Sequence, residues 1–253
     1  METKDSVQKQ FAPVAANYAT SAVHIAGPDL TAMLAAAGAH SDQRALDAGC
    51  GTGHTALAFA PHLAEVVALD LTEAMLAQGR KLARDRGITN ITFQRGDVER
   101  MPFSDASFDL VTSRYSAHHY PHPLVALGEF ARVLKPGGTF LLVDVVAPEL
   151  PAQDTFLNAI ELLRDHSHVR DHTVEQWQRM FASAGFAAEA LETWPLRLEF
   201  ESWVARMHTP FLAITQIRAL IEGATRDVRA ALAIDEGYSF SVPTALLRGR
   251  KAA

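Results

Sequence analysis

The residues best placed to do chemistry cluster near one turn. Ala45-Leu46-Asp47-Ala48-Gly49-Cys50-Gly51-Thr52-Gly53 leads from a short apolar stretch into a helix, and Asp70 closes the next β-branched stretch. Glycines in such a turn let the backbone approach a ligand that a Cβ would block. A carboxylate at the end of the second strand can accept hydrogen bonds from both hydroxyls of a ribose. Together they describe a site for a nucleoside-bearing molecule. A dinucleotide is one candidate, but the G-x-G-x-x-G spacing requires a third glycine where His54 stands. Asp47 beside the turn would also repel a pyrophosphate, whereas it suits a cationic ligand such as a sulfonium. A tight turn with no ligand is the plain alternative.

Positioning these residues takes an alternation of strands and helices. Strands are expected at 44–47, 66–69, 91–94, 108–112 and 139–146. A helix opens after the glycine turn, another runs from Thr72, as N-cap, to Gly87, and a third spans 124–134. Alternation of this kind gives parallel pairing with helices on both faces. Residues 1–40 read as helical. Beyond the fifth strand, 148–172 is polar and histidine-rich, 174–184 is a helix, 186–198 and 238–247 carry strand signals, and 201–234 reads as one or two helices. Such a late helical insertion would stand above the carboxyl ends of the strands, where open α/β sheets bind ligands.

With those segments in order, the chain resembles the class I methyltransferases that use S-adenosylmethionine (SAM), in particular the type 11 subgroup that includes ubiquinone and menaquinone C-methyltransferases. Asp47 to Gly53 resembles the family's first motif. Gly96-Asp97-Val98-Glu99-Arg100-Met101-Pro102-Phe103 resembles its GDAEXLPF segment, 108–111 its fourth strand, and Leu134-Lys135-Pro136-Gly137-Gly138 the approach to its fifth. The resemblance covers about residues 40–145. It implies a Rossmann-like, seven-stranded, mostly parallel α/β sheet whose last strand is antiparallel. An N-terminal helical lid (1–40), a cofactor-binding core (41–146) and a substrate-side segment (147–253, with an insertion at about 199–235) would form one domain over 1–253.

The resemblance also implies a SAM site. Gly49 and Gly51 would line the methionine portion, with Asp47 nearby. Asp70 would hold the ribose, and Leu71 would lie beside the adenosine. Met75 would pack on adenine or simply fill the core, while Asp97 and Val98 would read the ring. Ser113 and Arg114 would face the reacting methyl and the methionine carboxylate, although Arg114 departs from the small or amide residue expected there. It could instead bind an anionic substrate. Phe11-Ala12-Pro13-Val14-Ala15-Ala16-Asn17-Tyr18 resembles the FxxxAxxYD segment whose tyrosine closes over the cofactor, which makes Tyr18 a lid residue or a plain packing residue.

The chain holds 11 histidines. His118, His119 and His122 follow the fourth strand, and His166, His168 and His172 lie in the variable segment. They can be general bases, metal ligands or structural residues. No metal is assigned, and His118 and His119 are the candidate bases. Arg164 and Arg170 flank the second cluster and could recognise an anion or face solvent. Trp203, Met207, Phe211, Leu212 and Ile217 could line a lipophilic pocket, form ordinary core or make a dimer surface.

The expected activity is methyl transfer from SAM to a small-molecule acceptor through a C, O or N nucleophile. Non-catalytic binding of SAM or S-adenosylhomocysteine is the alternative from another class, followed by NAD(P)-dependent oxidoreduction. A net charge of −6 and scattered basic residues argue against a nucleic-acid partner. No apolar run reaches the length of a membrane span. One cysteine, Cys50, excludes an intramolecular disulfide, and with no secretory signal pattern at the start the expected location is the cytoplasm. The expected assembly is a monomer or homodimer.

Overall fold

The computed structural model describes residues 3–253, with only the backbone described at 22 and 23. Four helices lead in: α1 (Thr3–Phe11), α2 (Ala15–Ala19), α3 (Ala22–Ile25) and α4 (Pro28–Ala37). Then β1 (Arg44–Ala48), α5 (His54–Phe59), β2 (Glu65–Asp70), α6 (Glu73–Asp85), β3 (Ile91–Arg95), β4 (Phe108–Arg114), α7 (Pro123–Val133) and β5 (Leu134–Val145) alternate. The remainder is α8 (Pro151–Arg164), α9 (Val174–Ser183), β6 (Phe186–Leu198), α10 (Phe200–Arg206), α11 (Phe211–Glu222), α12 (Arg226–Ala231) and β7 (Phe240–Lys251).

The seven strands form one sheet in the order β3-β2-β1-β4-β5-β7-β6. The first five pair in parallel, and β7 runs antiparallel to both β5 and β6. The Rossmann-like architecture implied by the resemblance is the one observed. Strand alternation sorts the apolar residues into two layers. Leu46, Val67, Val111 and Leu142 pack with Phe130 of α7 and Trp177 and Phe181 of α9. Their neighbours Ala45, Val66, Leu110 and Leu141 pack with Met33 of α4 and Phe59 of α5 on the other face. A third core joins α8, α10, α11 and α12 to Phe240 and Val242 of β7.

Three local expectations change. The insertion holds three helices, because Pro210 and the Gly223–Thr225 segment divide it. Residues 148–172 begin with the four-turn helix α8 and become irregular only after Arg164. The Lys135–Gly138 turn does not separate α7 from β5. The strand begins at Leu134, opposite Phe108, and pairing resumes at Leu110–Thr139. The four residues between therefore bulge outward, and Lys135 returns to Asp109 at 2.8 Å.

Candidate functional site

β1 ends in the glycine turn because the amides of Gly49 and Cys50 both donate to Leu69 O at 2.9 Å. This docks the turn on the end of β2. Gly49 has φ +70, and a Cβ there would lie 1.9 Å from Ser116 Oγ. Gly51 has φ +53 with open space where its Cβ would be. The first glycine answers to crowding and the second keeps the backbone bare toward a cavity. Asp70 ties the turn to the next helix: Gly51 N donates to Oδ2 and Thr72 N to Oδ1, each at 2.8 Å. Thr72 is the N-cap of α6 as expected, but its side chain makes no capping bond. Burial raises the Asp70 pKa, and these amide donors oppose the rise.

Above the turn lies a cleft of about 940 Å³, mouth included, within the usual range for small-molecule sites. Gly49, Gly51, Asp70, Leu71, Met75, Asp97, Val98, Arg114, Tyr18 and His119 all border it, so most residues chosen from the sequence converge. Asp97 already accepts from Lys4 Nζ at 2.6 Å and from Glu99 N at 2.9 Å. Gln8 Nε2 donates to Leu71 O at 3.0 Å. Helix α1 is therefore clamped across the end of the cleft where Asp97 and Leu71 lie.

Asp47 and Ser113 lie away from the cleft, and Arg114 borders it with its guanidinium committed elsewhere. Asp47 is 2% exposed and does not border the cleft. Its carboxylate accepts from Ala56 N and Thr112 Oγ1, each at 3.1 Å, so it caps α5 and braces β4 from behind. Burial lifts its pKa to about 7, against those two donors. Ser113 is fully buried and also misses the cleft. Its Oγ is 3.0 Å from Tyr120 Oη, because strand alternation points it into the layer that holds Tyr120. Arg114 borders the cleft, but its guanidinium is committed to a buried ion pair with Asp29 (2.5 Å) and to His24 O (2.9 Å). What Arg114 does is fasten α4 to the end of β4.

Tyr18 reaches across rather than down: its hydroxyl donates to Met207 Sδ at 2.9 Å, tying the lid to the insertion. Phe11 stacks edge-on against both Tyr18 and His119. A second cavity of about 610 Å³ adjoins the cleft and shares Phe11, Tyr18, His24, Tyr115 and His119 with it. His118 borders only this second space.

The two adjacent histidines differ sharply in charge. His118 Nδ1 lies 2.7 Å from Asp144 Oδ1. Burial acts against its charged form, yet the Asp144 carboxylate prevails and raises its pKa to about 9. His119 is pushed down to about 4, first by burial and then by the charged His118, whose ring centroid is 4.2 Å away. Its Nδ1 is 3.0 Å from Ser167 O, which assigns the proton there and leaves Nε2 as the acceptor nitrogen. Asp144 thus favours the cationic form of His118, and burial beside it favours the neutral form of His119.

Of the other histidines, His122 pairs with Glu99 at the surface, His168 Nε2 bonds Asn158, and His172 bonds Gln176. Among the described residues no group of three His, Cys, Asp or Glu side chains is arranged to hold a metal ion. Arg170 is taken by Asp154 at 2.5 Å, so it does not join Arg164. Phe211 and Leu212 are 83% and 69% exposed and line neither space, whereas Trp203 borders the second cavity. Sequence reasoning missed Tyr115, Ser116, Tyr120, Glu161 and Arg206 as lining residues. Tyr115 (φ 50) turns the chain just after β4, and no local signal in the sequence marks that bend.

Residues 46–142 match the type 11 methyltransferase-domain family. The uncharacterised methyltransferase YcgJ of Bacillus subtilis is 38% identical over 246 residues, covering 95% of this chain and 97% of that protein. The chain belongs to the class I methyltransferases of type 11. The crystal structure of YcgJ superposes with a TM-score of 0.86 over 89% of this chain and 98% of that one. The uncharacterised protein YafE of Escherichia coli is 38% identical, covering 81% of this chain and 99% of its own. A demethylmenaquinone methyltransferase of Clavibacter sepedonicus is 31% identical, over 64% of this chain and 63% of its own. The family match includes the glycine turn and β2 to β4. No helix among the described residues is long and apolar enough to cross a membrane.

Proposed function

We propose that this methyltransferase uses S-adenosylmethionine to methylate a small molecule that enters beside His119. The observation that carries the reading is Asp70. Its carboxylate borders the cleft at the end of β2 and organises the bare glycine turn through Gly51 N. A carboxylate there can accept from the hydroxyls of a ribose, and the bare turn leaves room for an adjoining amino-acid portion. Gly49 and Gly51 would lie against the methionine portion, Asp70 would hold the ribose hydroxyls, Leu71 and Met75 would flank adenine, and Asp97 with the Val98 amide would read its edge. The residues present fit the cofactor. Bound there, it supplies an electrophilic methyl on a sulfonium that becomes a neutral thioether as the acceptor's electron pair forms the new bond.

The chain's own part is alignment and exclusion of water. Phe11 and Tyr18 cover the boundary between the two spaces. His119 borders both, and burial favours its neutral form, so its Nε2 can accept a hydrogen bond from an acceptor hydroxyl, whereas Asp144 favours the protonated form of His118. The likeness to demethylmenaquinone methyltransferase supports a small-molecule acceptor.

Calorimetry with S-adenosylhomocysteine tests the reading. The wild-type protein should bind it, and Asp70→Asn should weaken binding by about tenfold or more, because a charged acceptor is lost. No binding, or a preference for NAD, overturns the proposal. Release of S-adenosylhomocysteine in the presence of an acceptor separates an enzyme from a binding protein. His119→Ala should then lower turnover by about tenfold or more while cofactor affinity stays near wild type. Loss of cofactor binding instead would make His119 structural.

A further inference from the structure

Arg164 and Arg206 come from α8 and α10, two helices far apart in sequence, and both border the smaller cavity. Arg164 is held: its Nε donates to Trp203 O at 3.0 Å, its guanidinium lies over the Trp203 ring, and Glu161 stands 3.8 Å away. Arg206 is not held in that way. Its Nη1 donates to Ser21 Oγ at 3.2 Å, and its buried Nε has no hydrogen-bond partner. Among the described residues no carboxylate pairs with it within 4 Å. Burial, and then the repulsion of Arg164, lowers the Arg206 pKa.

A half-buried guanidinium near a like charge, with a buried Nε that no protein atom accepts from, is a costly arrangement. An anion between the two guanidinium groups would give Arg206 its missing acceptor and offset the repulsion between them. Two of the nearby acids are engaged elsewhere. Asp144 is bound to His118, and Asp165 accepts from Ser167 N and Oγ. Burial raises the pKa of both Asp171 and Glu161, and Glu161, 3.8 Å from Arg164, is drawn back toward its charged form by Arg164, His118 and Arg206 without bonding Arg206. Phe11, Trp203, Leu196 and Leu198 give the remaining wall an aromatic and apolar character.

We propose that the smaller cavity is the acceptor site and that it takes a molecule with an apolar or aromatic body and a carboxylate or phosphate group held between Arg164 and Arg206. That it serves the acceptor rests on the transfer reading given above. That it binds such an anion does not, so the two can fail separately. Arg206 sets specificity here and takes no part in holding the cofactor.

Calorimetry with benzoate, phenyl phosphate and benzamide provides the test, since the three share a ring and differ in charge. At least one anion should bind about tenfold or more tightly than benzamide, and the better of the two identifies the group as carboxylate or phosphate. Arg206→Gln should abolish the preference while circular dichroism and S-adenosylhomocysteine affinity stay unchanged. Arg164→Gln, on the other helix, should abolish it too, and Arg206→Lys should retain part of it. Equal binding of benzamide and both anions, no binding of either anion, or a preference that survives in both glutamine variants overturns the proposal. A lack of S-adenosylhomocysteine binding alongside a persistent anion preference would remove the transfer reading and leave the anion site standing.

Discussion

Replacing Asp29 by alanine is expected to destabilise the fold by about 3–5 kcal/mol, the range for breaking a buried ion pair from one side. The Asp29 and Arg114 side chains are 4% and 3% exposed, and the contact is 2.5 Å long. Few surface pairs reach such a value, because water screens them. Here water is excluded, and the guanidinium would keep its desolvation cost without the carboxylate that offsets it. For a chain of this size each kcal/mol moves Tm by about 2–4 °C, so the midpoint should drop by about 10 °C. The double variant Asp29→Leu/Arg114→Met should recover much of the loss, since apolar replacement of both partners removes the stranded charge. Urea unfolding of the single and double variants checks both points. A single-variant loss below about 1 kcal/mol would mean that the pair is not structurally important. The consequence for function is local: this pair joins α4 of the lid to the end of β4 beside the cleft. The single variant should therefore also become more open to proteolysis within the first 40 residues.

The fate of Arg114 shows what the sequence could and could not convey. The alternation of short β-branched stretches with amphipathic helices, the glycine turn and Asp70 are local patterns, and each led to the right element. Gly49, Asp70, Asp97 and Val98 reached the cleft because their position relative to strand ends is fixed by the topology. Ser113 and Arg114 were placed by the same logic and diverged. At a strand end, side-chain direction depends on what fills each face. One face offered Tyr120 to Ser113, and the other offered a carboxylate from 85 residues earlier to Arg114. Asp47 adjoins the turn in sequence, which suggests that it faces the ligand, yet strand alternation sends it behind the turn to α5. Arg206 was invisible for a different reason. In sequence it is one basic residue in an amphipathic helix, and only the packing of α10 against α8 sets it opposite Arg164. The local signals thus located the larger cleft, while the smaller cavity arises from contacts between segments that no local pattern relates.

The His118–Asp144 pair should make stability pH-dependent in a direction that can be worked out. Asp144 raises the His118 pKa in the folded protein to about 9, above its ordinary value of 6.5. The folded state therefore binds this proton more tightly than the unfolded chain does. The resulting stabilisation is fully present below about pH 6.5 and is lost as pH rises through about 9. The gap between the two values corresponds to about 3 kcal/mol. Asp144→Asn should remove most of that contribution at pH 6 and should cost little at pH 9.5, where His118 has lost its proton anyway. Asp171 and Glu161 also act on His118, and His119 lies beside it. Subtracting the wild-type unfolding free energies from those of the variant, pH by pH, isolates the Asp144 contribution. A difference that stays flat from pH 6 to 9.5 would show that the pair does not hold a proton. The same measurement bears on chemistry. A His118 protonated at neutral pH cannot remove a proton from an acceptor, but it adds a positive charge to the cavity that Arg164 and Arg206 already border. In Asp144→Asn the imidazole should titrate near or below its ordinary value, so affinity for benzoate or phenyl phosphate at pH 7.5 should fall without any change in either arginine. Unchanged anion affinity in a variant whose His118 is demonstrably neutral would restrict the recognition to the two guanidinium groups.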